Sequence, residues 1–117
     1  MTPEFQQLVN EAKKEIREVD VRELKRMQQA GEDFALIDVR QENETAKGVI
    51  PGAATIPRGI LELHIDKVTS DKNKKIVIYC GGGFRSALAA WMLKKMGYTN
   101  PLSLAGGYRE WTESGGQ

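Results

Sequence analysis

The chain has 117 residues, 40% of them hydrophobic and 28% charged, a composition that suits one folded domain and excludes a disordered chain or a two-domain protein. Seventeen Lys and Arg stand against sixteen Asp and Glu, a formal net charge of +1 that is too even for nucleic acid or an anionic membrane to be the main partner. The one cysteine, Cys80, excludes an intramolecular disulfide and any multi-cysteine metal site, and no apolar run approaches the roughly 18 residues of a membrane span.

Met1 to Phe5 carry no charged-then-apolar signal pattern, so the cytoplasm is the default expectation. The first segment reads as a helix. Thr2 can cap it, Pro3 fits the first helical position, and Phe5, Leu8, Val9, Ala12 and Ile16 fall on one face. Such a helix, residues 1–15, extends a main domain expected over 16–113 and either docks on it or holds a partner. Asp20 caps a second helix through Leu24 and Met27, which Gly31 ends.

Residues 34–39 then form a short apolar run of strand type, and the polar stretch 41–47 is a short helix or loop. Ile50-Pro51-Gly52-Ala53 turns the chain into a brief strand over 54–56, weak helix follows over 59–65, and 66–75 is a solvated connection. Residues 75–80 make the clearest buried strand. After three glycines a strong helix runs from Arg85 to Met96, with Leu88, Ala89, Met92 and Leu93 on one face and Gly97 as its stop. A strand over 101–104 meets Gly106-Gly107, a short helix follows over 108–112, and 114–117 reads as a flexible tail. Strands alternating with helices imply an α/β domain with a mostly parallel central sheet and helices on both faces.

In such a sheet ligands sit beyond the carboxyl ends of the strands, where the run ending at Tyr79 delivers Cys80. Gly81-Gly82-Gly83 allow a tight curl with positive φ where needed, so that several N–H groups point at one centre. The next helix adds its positive end. The result is an anion cradle with sulfur at its floor, and Arg85 is placed to close or brace it. That setting lowers a thiol pKa and makes Cys80 a candidate nucleophile. The competing reading is a buried small hydrophobe at a strand end. A run of three glycines argues for function, because it is costly unless its geometry is wanted.

Cys80-Gly81-Gly82-Gly83-Phe84-Arg85-Ser86 resembles the active-site loop of rhodanese-type sulfurtransferases. Leu36-Ile37-Asp38-Val39-Arg40 resembles that family's L-I-D-V-R strand, Gly48 to Ala53 its G-H-I-P-G-A turn, and Leu104 to Trp111 its closing L-x-G-G-x-x-x-W. Two positions depart: Val49 stands where many members have histidine, and Thr45 where an aromatic is common. The resemblance implies a three-layer rhodanese-like domain and a double-displacement sulfur transfer. Cys80 would be the catalytic residue, carrying a persulfide, and Gly81, Gly82, Gly83, Phe84, Arg85 and Ser86 would bind the donor. The partners it implies are a small anionic donor such as thiosulfate and a thiol, cyanide or protein acceptor, with no metal or organic cofactor.

Two other functions share these features. A cysteine phosphatase or arsenate reductase also cradles an anion, but the four residues between Cys80 and Arg85 make a loop one residue shorter than in the related phosphatases. A partner-binding or sulfur-carrier module would show little thiosulfate activity, and a loop with Arg85 as its one charge is consistent with that. Asp38 and Arg40 end a strand on the sheet edge that carries Cys80, as an ion pair that either shapes the site or is structural. Trp91 and Trp111 read as packing residues, Tyr108 and Arg109 as rim residues, and His64 as solvated or capping. Lys72, Lys74 and Lys75 read as a solvated run.

Overall fold

The computed structural model describes residues 1–116. Its elements are α1 (Pro3–Glu15), β1 (Arg17–Val19), α2 (Val21–Gln29), β2 (Ala35–Asp38), α3 (Glu42–Thr45), β3 (Ala54–Thr55), α4 (Leu61–His64), β4 (Ile76–Tyr79), α5 (Phe84–Lys95), β5 (Pro101–Leu104) and α6 (Gly107–Glu113). Short 3-10 turns, Arg58–Ile60 and Ile65–Lys67, flank α4. The five strands form one sheet in the order β1-β5-β4-β2-β3, and every pairing is parallel. The sheet is therefore wholly parallel, and all its carboxyl ends lie along one edge. β4 sits at its centre, so Cys80 emerges in the middle of that edge.

Strand alternation sorts the core into two layers. Ile76, Ile78 and Cys80 face the layer built with Ile37, Leu61, Ile65, Ala89, Ala90 and Leu93, which α4 and α5 cover. Val77 and Tyr79 face the opposite layer with Leu24, Met27, Leu36, Leu102, Leu104 and Trp111, under α2 and α6. Both faces of the sheet are thus buried, which is why its strands read as continuous apolar runs.

The edge strand β1 has no signal in the sequence. It has only three residues, it is exposed at Arg17 and Glu18, and it exists because Arg17–Val19 pairs with Leu102–Leu104. The amino-terminal helix docks on α5. Thr2 caps it by accepting from the Phe5 amide, and Val9 and Ala12 are fully buried against Ala87. Leu8, on the expected apolar face, is 47% exposed, because α5 covers only the Val9 side.

Three helices end in the same way. After α2, α5 and α6 a glycine with positive φ (Gly31, Gly97, Gly115) lets its own amide and the following one turn back to the final helical turn. Following α6, Gly115 N–H donates to Thr112 and Gly116 N–H to Trp111, while Lys25 Nζ donates to Ser114. The segment read as a flexible tail is thereby bonded to the domain as far as Gly116, and Gln117 lies outside the described residues. Lys74 and Lys75, read as solvated, pair with Asp33 and Glu32 before β2, and Lys72 lies 4.1 Å from the centre of the Tyr98 ring.

Candidate active site

β4 hands the chain to α5 through Cys80-Gly81-Gly82-Gly83. Cys80 itself is 1% exposed, held where the sheet edge meets the first turn of α5. Its Sγ accepts from Gly83 N–H at 3.1 Å and from Ser86 N–H at 3.4 Å, and lies 3.5 Å from Ser86 Oγ. Gly83 is the N-cap of α5 and offers no side chain, so the Ser86 amide, three residues into the helix, has lost its usual capping oxygen. The sulfur takes that place.

Opposing effects act on the thiol. Burial pushes its pKa up, while hydrogen bonds from the Ser86 hydroxyl and from the Ser86, Gly83 and Gly82 amides pull it down. The hydrogen bonds prevail, and Cys80 ends below the ordinary thiol range.

The loop is held open from behind by α6. Tyr108 N–H donates to Cys80 O at 2.8 Å and Arg109 N–H to Gly81 O at 3.0 Å. In a trans peptide the N–H points opposite its C=O, so anchoring these two carbonyls on α6 turns the Gly81 and Gly82 amides away from α6, into the loop. The Gly106-Gly107 turn is what allows that approach, since a Cβ on Gly107 would lie 2.5 Å from Cys80 O. Of the three loop glycines only Gly83 takes positive φ (98°), so the expectation that the triplet exploits left-handed backbone narrows to one residue. Gly81 and Gly82 have room for a Cβ at ordinary contact distance, and their contribution is an uncluttered mouth.

Phe84 and Arg85, the other side chains of the loop, also make contacts beyond it, although the Arg85 guanidinium stays beside Gly81 and the Cys80 sulfur. Phe84 packs toward α1, with Lys13 Nζ 5.5 Å from its ring centre. Arg85 forms a bidentate pair with Glu44 of α3, at 3.0 and 3.2 Å. Its hydrogen bonds hold the Glu44 carboxyl below the usual carboxylate range. Glu44 is a site residue that the sequence does not mark, because it lies 41 positions from Arg85 and reads there only as a helix residue of the Gln41 capping box.

Asp38 and Arg40 do form a buried ion pair, with Arg40 Nη2 donating to Asp38 Oδ2 at 2.7 Å and to Gly48 O at 2.7 Å. They have no hydrogen bond to Cys80 among the described residues. The guanidinium instead lies 4.0 Å from the Tyr108 ring, which stacks on Tyr79 at 6.2 Å. The Tyr79 hydroxyl accepts from Ile50 N–H, and burial beside the Asp38 carboxylate pushes its pKa well up. The pair is thus in contact with Tyr108, whose amide donates to Cys80 O. Tyr108 is half-buried and Arg109 exposed. A cleft of about 320 Å³ opens beside the loop between Gly82, Phe84, Gly106, Arg109, Glu110 and Glu113. A larger one, about 450 Å³, lies between α2 and α6 and does not include the sulfur loop. Val49 and Thr45 are half-buried, Trp111 packs in the α2 and α6 layer, and Trp91 packs beside α1.

The model of the Rhodanese-like domain matches residues 20–114. A sulfurtransferase of Allochromatium vinosum is 33% identical over 100 residues, spanning 86% of this chain and 92% of that protein. The human thiosulfate:glutathione sulfurtransferase is 34% identical over 90 residues, spanning 67% of this chain and 78% of its own length. Among solved structures, a Rhodopseudomonas palustris protein described as a possible tyrosine phosphatase superposes with a TM-score of 0.89 at 31% identity, over 100% of this chain and 95% of that one.

Proposed function

The chain belongs to the rhodanese-like domain family, with relatives named as sulfurtransferases, and on that footing we propose that it moves a sulfane sulfur through a persulfide on Cys80. The observation that carries the reading is the sulfur itself, nearly buried and bonded by the Gly83 and Ser86 amides at the mouth of a helix. A thiolate there attacks the outer sulfur of thiosulfate. The new S–S bond forms as the donor's S–S bond breaks, its electron pair leaves with sulfite, and Cys80 carries –S–S⁻. The backbone amides from Gly81 to Arg85 receive the anionic donor and then the terminal sulfur, as an oxyanion hole receives oxygen. Cyanide or a thiolate then attacks that sulfur and departs as thiocyanate or a persulfide, restoring the Cys80 thiolate. Phe84, Arg85 and Ser86 complete the wall, and Asp38 with Arg40 shape it from behind through Tyr108.

A second reading, a sulfur carrier with little thiosulfate activity, is favoured by one contact. The Arg85 charge is partly offset by its pair with Glu44, so a dianion meets the loop amides and a partly neutralised cation. A thiol persulfide donor, with a single charge at its sulfur end, suits that site, and a reducing cytoplasm rich in thiols suits the acceptor step. The four-residue spacing from Cys80 to Arg85 keeps the loop small for a tetrahedral phosphate, against a phosphatase.

The test is intact mass after exposure to thiosulfate, paired with thiocyanate production, for the native protein and Cys80→Ala. The expected result is a gain of one sulfur atom and turnover, both absent in the variant. Mass gain from a glutathione persulfide but not from thiosulfate selects the carrier reading. No gain from either donor overturns both.

A further inference from the structure

Nothing in the local sequence marks Ser103. It lies in β5, paired with Ile78 of β4 and flanked by Leu102 and Leu104, and it is fully buried, as is Ser86 in the first turn of α5. The two hydroxyl oxygens are 2.8 Å apart, and Ser86 Oγ is 3.5 Å from Cys80 Sγ. Sulfur, Ser86 and Ser103 therefore form a chain running from the reactive atom into the sheet. A hydroxyl inside a parallel sheet carries a desolvation cost that an apolar residue avoids, so its one side-chain partner is informative. Among the described residues that partner is Ser86.

Counting hydrogens fixes what the chain can do. Each hydroxyl has one hydrogen to give and lone pairs to receive. With Cys80 as a thiol, S–H donates to Ser86, which passes its own hydrogen to Ser103. With Cys80 as a thiolate, the sulfur only accepts. Ser86 must then turn its hydrogen to the sulfur, and its oxygen is left to accept from Ser103. With sulfur as the anion, the arrangement that serves it is Ser103 donating to Ser86 and Ser86 donating to Cys80. A hydroxyl that is itself accepting a hydrogen bond donates more strongly, by about 10–30% per link in condensed-phase terms.

We propose that Ser103 is a positioning residue for the reactive sulfur, acting through Ser86: by donating to the Ser86 hydroxyl it turns that group's hydrogen onto Cys80 and favours the anionic sulfur. The proposal rests on the reading of Cys80 as a thiolate nucleophile. It adds to the site a residue of β5, from the strand beside the one that delivers Cys80.

Because Cys80 is the one cysteine, thiolate absorbance at 240 nm, with Cys80→Ala subtracted, titrates this sulfur alone. Ser103→Ala is expected to raise the midpoint by about 0.3–0.6 pH units, a two- to fourfold loss of thiolate relative to thiol below it. The isosteric pair Ser103→Thr and Ser103→Val separates hydroxyl from shape. Thr should titrate within about 0.1 unit of the native protein and Val with the raised midpoint of Ala. A native midpoint in both Ala and Val, or a lowered one, overturns the proposal, as does Thr behaving like Val. Should Ala unfold on thermal melting, the Thr–Val pair still decides. The titration needs no sulfur donor. A native protein that shows the Ser103 effect but gains no mass from any donor refutes the sulfur-transfer reading and leaves this one standing.

Discussion

Gly107 touches the site without touching the sulfur. Its φ is +56°, and an added Cβ would meet the carbonyls of both Cys80 and Gly81 at under 3 Å, backbone atoms that cannot swing aside. Gly107→Ala should therefore cost about 2–4 kcal/mol in denaturant unfolding, from the strained backbone and the displaced loop together. Gly82→Ala, in the loop but with negative φ and 3.6 Å to Phe84, should stay within about 1 kcal/mol. Equal costs for the two would contradict the bracing role given to the Gly106-Gly107 turn. This contrast also marks what the sequence displays. Cys80, its glycines and Arg85 announce themselves because the loop is contiguous. Glu44 and Ser103 do not, since each reaches the site across the fold from a position whose local neighbours explain it fully.

Helices show the same division. α5 is legible from its apolar spacing and its glycine stop, and α1 from Thr2, Pro3 and its stripe. Which part of that stripe is buried depends on the tilt of α1 across α5, which spacing does not encode. The prediction belongs to this contact. Val9→Ala should lower unfolding free energy by about 2 kcal/mol, as a buried side chain facing Ala87 is lost. Leu8→Ala, one residue away and 47% exposed, should change it by less than about 0.5 kcal/mol. If Leu8 proves the costlier, the helix docks in a different rotation. β1 escapes periodicity altogether, because three residues are too few to alternate and the strand is defined by its partner.

At the scale of the molecule, ionisation and folding are coupled. The folded Cys80 thiol lies below the ordinary range, so across the interval from its folded pKa up to about 8.5 the unfolded chain binds more protons. Stability from this group is then present above the unfolded value and is lost as pH falls through the folded one. The native protein should accordingly gain stability relative to Cys80→Ser as pH rises through that window. Unfolding midpoints measured from pH 5 to 9 check the sign, and a flat or falling difference would contradict the hydrogen-bond account of the sulfur.

The strand order has a consequence for synthesis. β1 and α1 are made first, yet β1 pairs only with β5 and α1 rests on α5, elements some 70 to 85 residues further on. While β2, β3 and β4 can assemble as they leave the ribosome, the first twenty residues wait with Val9, Ala12 and Val19 uncovered until residues 84–104 emerge. The nascent chain thus carries an amphipathic helix with its apolar stripe uncovered, beside an unpaired strand edge, for several seconds at ordinary elongation rates of about 5–20 residues per second. Arg17 and Glu18, the charged and exposed residues of that edge, stand where they discourage a neighbouring chain from pairing first.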